Sequence, residues 1–106
     1  MILQLNEFRM AYQDEGSGTP VLLIHGYPLN RQMWQPQMAG LSDCARLIAP
    51  DLRGHGDSEA VEGAYTMEAH AQGCYELLEK LGISQNVVVC GLSMGGYIAL
   101  AFYRLF

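Results

Sequence analysis

Val87-Val88-Val89-Cys90 runs without a break into Gly91-Leu92-Ser93-Met94-Gly95-Gly96, and an apolar stretch, Tyr97 to Phe106, follows at once. A short continuous run rich in β-branched residues is the pattern of a strand covered on both faces. Ile98, Ala99, Leu100, Ala101, Phe102 and Leu105 leave little polar surface on the segment behind it. That composition predicts a helix buried on most sides. Strand and helix are joined by little more than glycines around one serine, so the chain must reverse within a few residues.

The rest of the chain alternates in the same way. Ile2 to Leu5 predicts a short edge strand. Phe8, Met10 and Tyr12 alternate with Glu7, Arg9, Ala11 and Gln13, the period of a half-buried strand antiparallel to the first. Asp14 to Pro20 is dense in turn formers and predicts a loop. Val21-Leu22-Leu23-Ile24 is a second continuous apolar run and ends in His25-Gly26-Tyr27-Pro28. Trp34, Met38 and Leu41 share one face of a short helix, with Pro36 tolerable near its first turn. Ala45 to Ala49 predicts a strand stopped by Pro50. Thr66 suits an N-cap, Met67, Ala71, Cys74, Leu77, Leu78 and Leu81 recur at helical spacing, and Gly82 suits the C-terminal end. After the opening hairpin, strands and helices alternate. The expected fold class is therefore α/β: a mostly parallel sheet with an antiparallel N-terminal strand pair and helices on both faces, one domain over 1–106.

Charge narrows the partners. The formal net charge is -5, and the six Lys and Arg residues are scattered. No basic stripe exists to track phosphates, so nucleic acid and anionic membrane surfaces are not expected partners. The three cysteines, Cys44, Cys74 and Cys90, form no CxxC pair and are expected to be reduced, buried thiols. The first residues carry no signal-peptide pattern and no stretch reaches transmembrane length, so the expected compartment is the cytoplasm.

Gly91-Leu92-Ser93-Met94-Gly95 fits G-x-S-x-G in the context that gives that pattern meaning, after a buried strand and before a buried helix. Such a turn forces the serine into strained backbone geometry. A Cβ on either flanking glycine would collide with a neighbouring element. The serine hydroxyl then stands above the strand ends, at a helix N-terminus that favours developing negative charge. The competing reading is a plain glycine-rich strand–helix turn that could cradle a phosphate, although position 93 breaks G-x-G-x-x-G and no Gly-Lys pair forms a P-loop.

Three motifs together, His25-Gly26-Tyr27-Pro28, Asp51-Leu52-Arg53-Gly54-His55-Gly56-Asp57-Ser58 and Gly91-Leu92-Ser93-Met94-Gly95-Gly96, resemble the α/β-hydrolase family, in its esterase, lactonase and haloperoxidase-like group. The resemblance covers the N-terminal half of such a fold. It implies Ser93 as the nucleophile, with the backbone N–H groups of Tyr27 and Met94 as an oxyanion hole. Losing one such donor typically costs about 2.7–4 kcal/mol of barrier. It implies loop or elbow support from His25, Gly26, Gly91, Gly95 and Gly96. His25 is expected to pin its loop by hydrogen bonds rather than to act as the base, because the family's catalytic histidine comes last in the chain. His55, with Asp51 and Asp57, is expected to be structural rather than a metal site, with Asp57 or Ser58 capping the turn. His70 is expected on a surface or in a groove. Tyr27, Trp34 and Met94 could shape a substrate pocket or simply pack.

No cofactor is implied. The substrate class implied is a small acyl compound: a carboxylic ester, lactone or similar. A carboxylate nucleophile of the dehalogenase or epoxide hydrolase type is disfavoured by serine at 93. A peroxidase-like side activity or carbon–carbon bond hydrolysis stays open. The template requires an acid and then a histidine after the nucleophile; no Asp, Glu or His follows Ser93. The expectation is therefore a fragment of a longer reading frame, inactive alone. Its 87–90 strand would be an exposed edge open to self-association. The alternative is a non-catalytic binding or assembly module that keeps the hydrolase scaffold.

Overall fold

A computed structural model describes residues 1–63 and 65–106. Five strands, β1 (Ile2–Gln4), β2 (Arg9–Glu15), β3 (Pro20–Ile24), β4 (Arg46–Pro50) and β5 (Val88–Gly91), form one sheet in the order β1-β2-β4-β3-β5. β1 pairs antiparallel with β2, and β2 antiparallel with β4. β3 lies parallel to both β4 and β5. The sheet is mixed, with its parallel part where strands and helices alternate.

β3 and β4 bury both faces, whereas β5, expected to be covered on both, is the edge strand and leaves Val88 and Cys90 exposed. On β3, Leu22 and Ile24 enter one core while Leu23 enters another; on β4, Ile48 joins the first core while Leu47 and Ala49 join the second. The first core is closed by α2 (Met67–Lys80) and α3 (Met94–Leu105). The second is closed by a 3-10 turn (Arg31–Trp34) leading into α1 (Gln35–Leu41), through Trp34 and Met38. Full burial of side chains such as Leu22, Ile24 and Ile48 stabilises by roughly 1.5–3 kcal/mol each.

Helix ends follow local chemistry. Thr66 accepts a hydrogen bond from the Ala69 amide at 3.0 Å, capping α2. Pro36 sits in the first turn of α1, where its missing N–H costs nothing.

Three further expectations are corrected. α3 is not buried on most sides: only Gly95, Ile98 and Ala101 are covered, while Tyr97, Leu100 and Tyr103 are 69%, 68% and 85% exposed. It packs on the sheet and α2 through one stripe, and no other described element reaches its outer face. Of the cysteines only Cys74 is buried, where desolvation pushes its thiol up to about 12; Cys44 and Cys90 are exposed. His70 is buried, 4% exposed, because α2 turns it inward beneath the loop after β4. No helix among the described residues is long and apolar enough to cross a membrane.

This topology contains a switch point. β3 is followed by α1 on one face of the sheet and the adjacent β5 by α3 on the other. Two neighbouring parallel strands whose chains leave in opposite directions open a cleft at their carboxyl ends. The loops from His25 and from Leu92 both lie there.

Candidate active site

The β3–β5 ladder pairs Ile24 with Gly91, and the Leu92 amide donates to the Ile24 carbonyl at 3.1 Å. Tyr27 and Met94 each lie three residues past that last pair. The register thus carries their two loops side by side. A Cβ placed on Gly26 would stand 2.9 Å from the Leu92 carbonyl and 3.5 Å from the Ser93 Cβ, a measure of how closely the loops pass.

The turn at Ser93 is strained. Its φ of 54° and ψ of -113° lie outside the regions that L-residues ordinarily occupy. Close packing enforces it: a Cβ on Gly91 would overlap the Gly95 carbonyl, and one on Gly95 would overlap the Ile24 carbonyl. Gly96 is different, since a Cβ there would meet only the Gly91 carbonyl at 3.7 Å, an ordinary contact. Ser93 itself is exposed and makes no side-chain capping bond to its helix. Its hydroxyl faces solvent at the start of α3.

The loop after β3 closes on itself. Leu29 donates to the Gly26 carbonyl at 2.8 Å across a turn that contains the cis Tyr27–Pro28 bond. Tyr27 is at the second position of that turn, so its own amide is not used by it. Neither the Tyr27 nor the Met94 amide has a partner among the described residues, and Met94 opens α3, where N–H groups are left over by helix geometry.

His25 is fully buried and both ring nitrogens are engaged. Nδ1 donates to the Gly26 carbonyl at 2.9 Å, and Nε2 accepts the Leu52 amide at 3.0 Å. Burial, the dominant effect, lowers its pKa and keeps it neutral, with a proton on Nδ1. An imidazole so committed has no lone pair left for a serine proton.

The loop after β4 is organised by Asp51. Its buried carboxylate accepts the Arg31 amide at 2.7 Å, the Asp57 amide at 2.8 Å and the Arg31 guanidinium. Gly56, at φ +52°, passes so close to this carboxylate that a Cβ would overlap it. Ser58 Oγ donates to the Asp51 carbonyl at 2.6 Å and accepts the Ala11 amide at 2.9 Å, which ties the loop to β2. Sequence reasoning placed Asp51 in a loop motif but missed its partner. Arg31 lies twenty residues away in a segment without pattern, and only the fold brings the two together.

Three aromatic contacts meet at His55. Its ring lies 5.1 Å from that of His25, 5.8 Å from Tyr27 and 6.0 Å from His70. No group of three or more His, Cys, Asp or Glu side chains among the described residues is arranged to hold a metal ion. Trp34 faces the second core, 8% exposed, whereas Tyr27 is 71% exposed.

The arrangement shares its ground plan with known proteins. A sequence profile described as "alpha/beta hydrolase fold" matches residues 19–106. A soluble epoxide hydrolase from Corynebacterium sp. (strain C12) is 38% identical over 98 residues, covering 92% of this chain and 34% of that protein. Among solved structures, a thermophilic esterase from Thermogutta terrifontis superposes with a TM-score of 0.90 at 49% identity, over 92% of this chain and 36% of that one. The N-acyl homoserine lactonase AidH superposes at 0.92 with 35% identity, over 98% of this chain and 39% of that one. The chain spans about a third of the length of the relatives it matches.

Proposed function

Because the chain belongs to the alpha/beta hydrolase fold family, we propose that it is the nucleophile-bearing part of a serine hydrolase for carboxylic esters, lactones or related acyl compounds. One observation carries the reading: an exposed serine held at positive φ between two close-packed glycines, at the head of a helix. A backbone this strained persists where the surroundings over-determine it, and it presents one hydroxyl to solvent. The esterase and lactonase likenesses support the acyl class. A carboxylate nucleophile is disfavoured because the residue at 93 is serine.

In the proposed chemistry Ser93 Oγ adds to the substrate carbonyl carbon and gives its proton to a base. The oxygen of the tetrahedral intermediate accepts hydrogen bonds from the Tyr27 and Met94 amides, which stand unpaired. Collapse breaks the carbon–oxygen bond to the leaving alcohol, which takes up the proton. Water then repeats the sequence on the acyl-serine.

No base for Ser93 is assigned among these 106 residues. No Asp, Glu or His follows Ser93, and His25 is spent on its loop. The 106 residues alone are therefore expected to be poor catalysts, acting as scaffold until a base is supplied. Fluorophosphonate labelling read by mass spectrometry tests this, with and without added imidazole. The expected result is slow labelling at Ser93, accelerated several-fold by imidazole and absent in Ser93→Ala. No adduct at Ser93 in folded protein under either condition would refute the nucleophile assignment.

A further inference from the structure

We propose that His55 is a positioning residue for the Tyr27 loop: its ring is wedged among His25, Tyr27 and His70 and ties the loop after β3 to α2. This role rests on the reading of the Tyr27 amide as an oxyanion donor, since that is what gives the loop a task.

The ring is held from below. His55 sits in a tight turn in which its amide donates to the Leu52 carbonyl at 2.8 Å and its carbonyl accepts the Ser58 amide at 3.0 Å. Its Nδ1 donates to the Arg53 carbonyl at 3.0 Å. Nε2 is then an acceptor, and it is buried with no partner. Burying an unpaired lone pair is unfavourable, so hydrogen bonding at that edge does not explain the placement. What the placement achieves is contact. His55 meets Tyr27 edge to face at 85° and His70 at 70°. His70 in turn meets Tyr65 at 5.9 Å. All three histidines of the chain thus stand in one file, from the candidate oxyanion loop to the buried side of α2.

Few charged groups surround the file. The groups facing it are Asp51, already taken by Arg31, Arg53 on the same loop, and the phenols of Tyr27 and Tyr65. No free carboxylate among them balances a proton on the file. His25 and His70 are both held below the ordinary histidine range, by burial first and by the neighbouring His55 second for His70.

Amide hydrogen exchange and NMR titration of the whole chain test the role. Leu29 and Leu52 report the loop, because their amides bond to Gly26 and to His25; Leu22 and Ile48 report the sheet. His55→Ala is expected to cut Leu29 and Leu52 protection at least tenfold and spare the sheet. His55→Phe, which keeps a ring, is expected to hold protection within about threefold of the parent and to move the His70 titration to higher pH. Unchanged Leu29 protection in His55→Ala, an equal loss throughout the sheet, or a His70 titration that ignores His55→Phe would each overturn the proposal. If His55→Ala does not fold, His55→Phe decides alone. Ser93 labelling is independent of both readouts, so failure of the serine reading and failure of this one are told apart.

Discussion

Gly95 passes the Ile24 carbonyl so closely that no side chain fits between them. The start of α3 is thereby seated directly on the end of β3, and the strained geometry of Ser93 is the consequence of that seat. Gly95→Ala is expected to destabilise the fold by at least about 2 kcal/mol through backbone displacement. Gly96→Ala, one residue on, has room for its methyl and replaces a glycine near the helix start. It is expected to be neutral or to stabilise by up to about 1 kcal/mol. Urea unfolding of the two variants checks the contrast, and equal midpoints would contradict it.

Asp51 is a buried carboxylate whose compensation comes largely from Arg31. Arg31→Met removes the guanidinium and leaves the charge behind, which typically costs about 3–5 kcal/mol. Adding Asp51→Asn to Arg31→Met is expected to cost much less than the sum of the single changes. A double-mutant cycle measures this coupling; strictly additive energies would show that the pair does not act as a unit.

Stability is expected to fall on mild acidification. Burial lowers His70 to about 4 from an ordinary 6.5. Between those values the unfolded chain binds more protons than the folded one, so stability rises with pH there and levels off above about pH 7. This group alone contributes a loss on the order of 2 kcal/mol between pH 7 and pH 5. Denaturant midpoints at the two pH values, compared with those of His70→Phe, check the sign and the share. A parent protein equally stable at both would refute it.

Self-association is expected through β5. The strand is a sheet edge without a charged residue or proline, and Val88 is 51% exposed on it. Edge strands left unguarded in this way pair with other strands. The uncovered Tyr97, Leu100 and Tyr103 add apolar area on α3. Sedimentation velocity is expected to show a concentration-dependent dimer or larger species, reduced in Val88→Lys. A monomer at every concentration would rule the surface out.

Much of the fold was legible because it was locally written. The runs Val21–Ile24 and Val87–Cys90 announced strands, although only the first is buried on both sides. Thr66 and the spacing from Met67 to Leu81 announced α2, and the glycines around Ser93 announced an abrupt turn. Boundaries shifted by a few residues: β2 runs from Arg9 and extends to Glu15. Misplaced side chains were those whose surroundings come from elsewhere in the chain. Leu100 and Leu105 read as core because apolar residues imply burial, yet they are 68% and 47% exposed. His70 read as surface because no periodicity says which loop will lie over a helix.

By itself the sequence determined the order of strands and helices, the sharp turn at Ser93 and the residue types available to it, because these follow from side-chain period and glycine content along a few neighbouring positions. Only the tertiary structure decided that the loops of Tyr27 and Met94 would run side by side with both amides unpaired among the described residues, that Arg31 would neutralise Asp51, and that the three histidines would line up. Those relationships depend on strand register and crossover direction. Both are settled by packing between segments tens of residues apart, and neither leaves a mark in local composition.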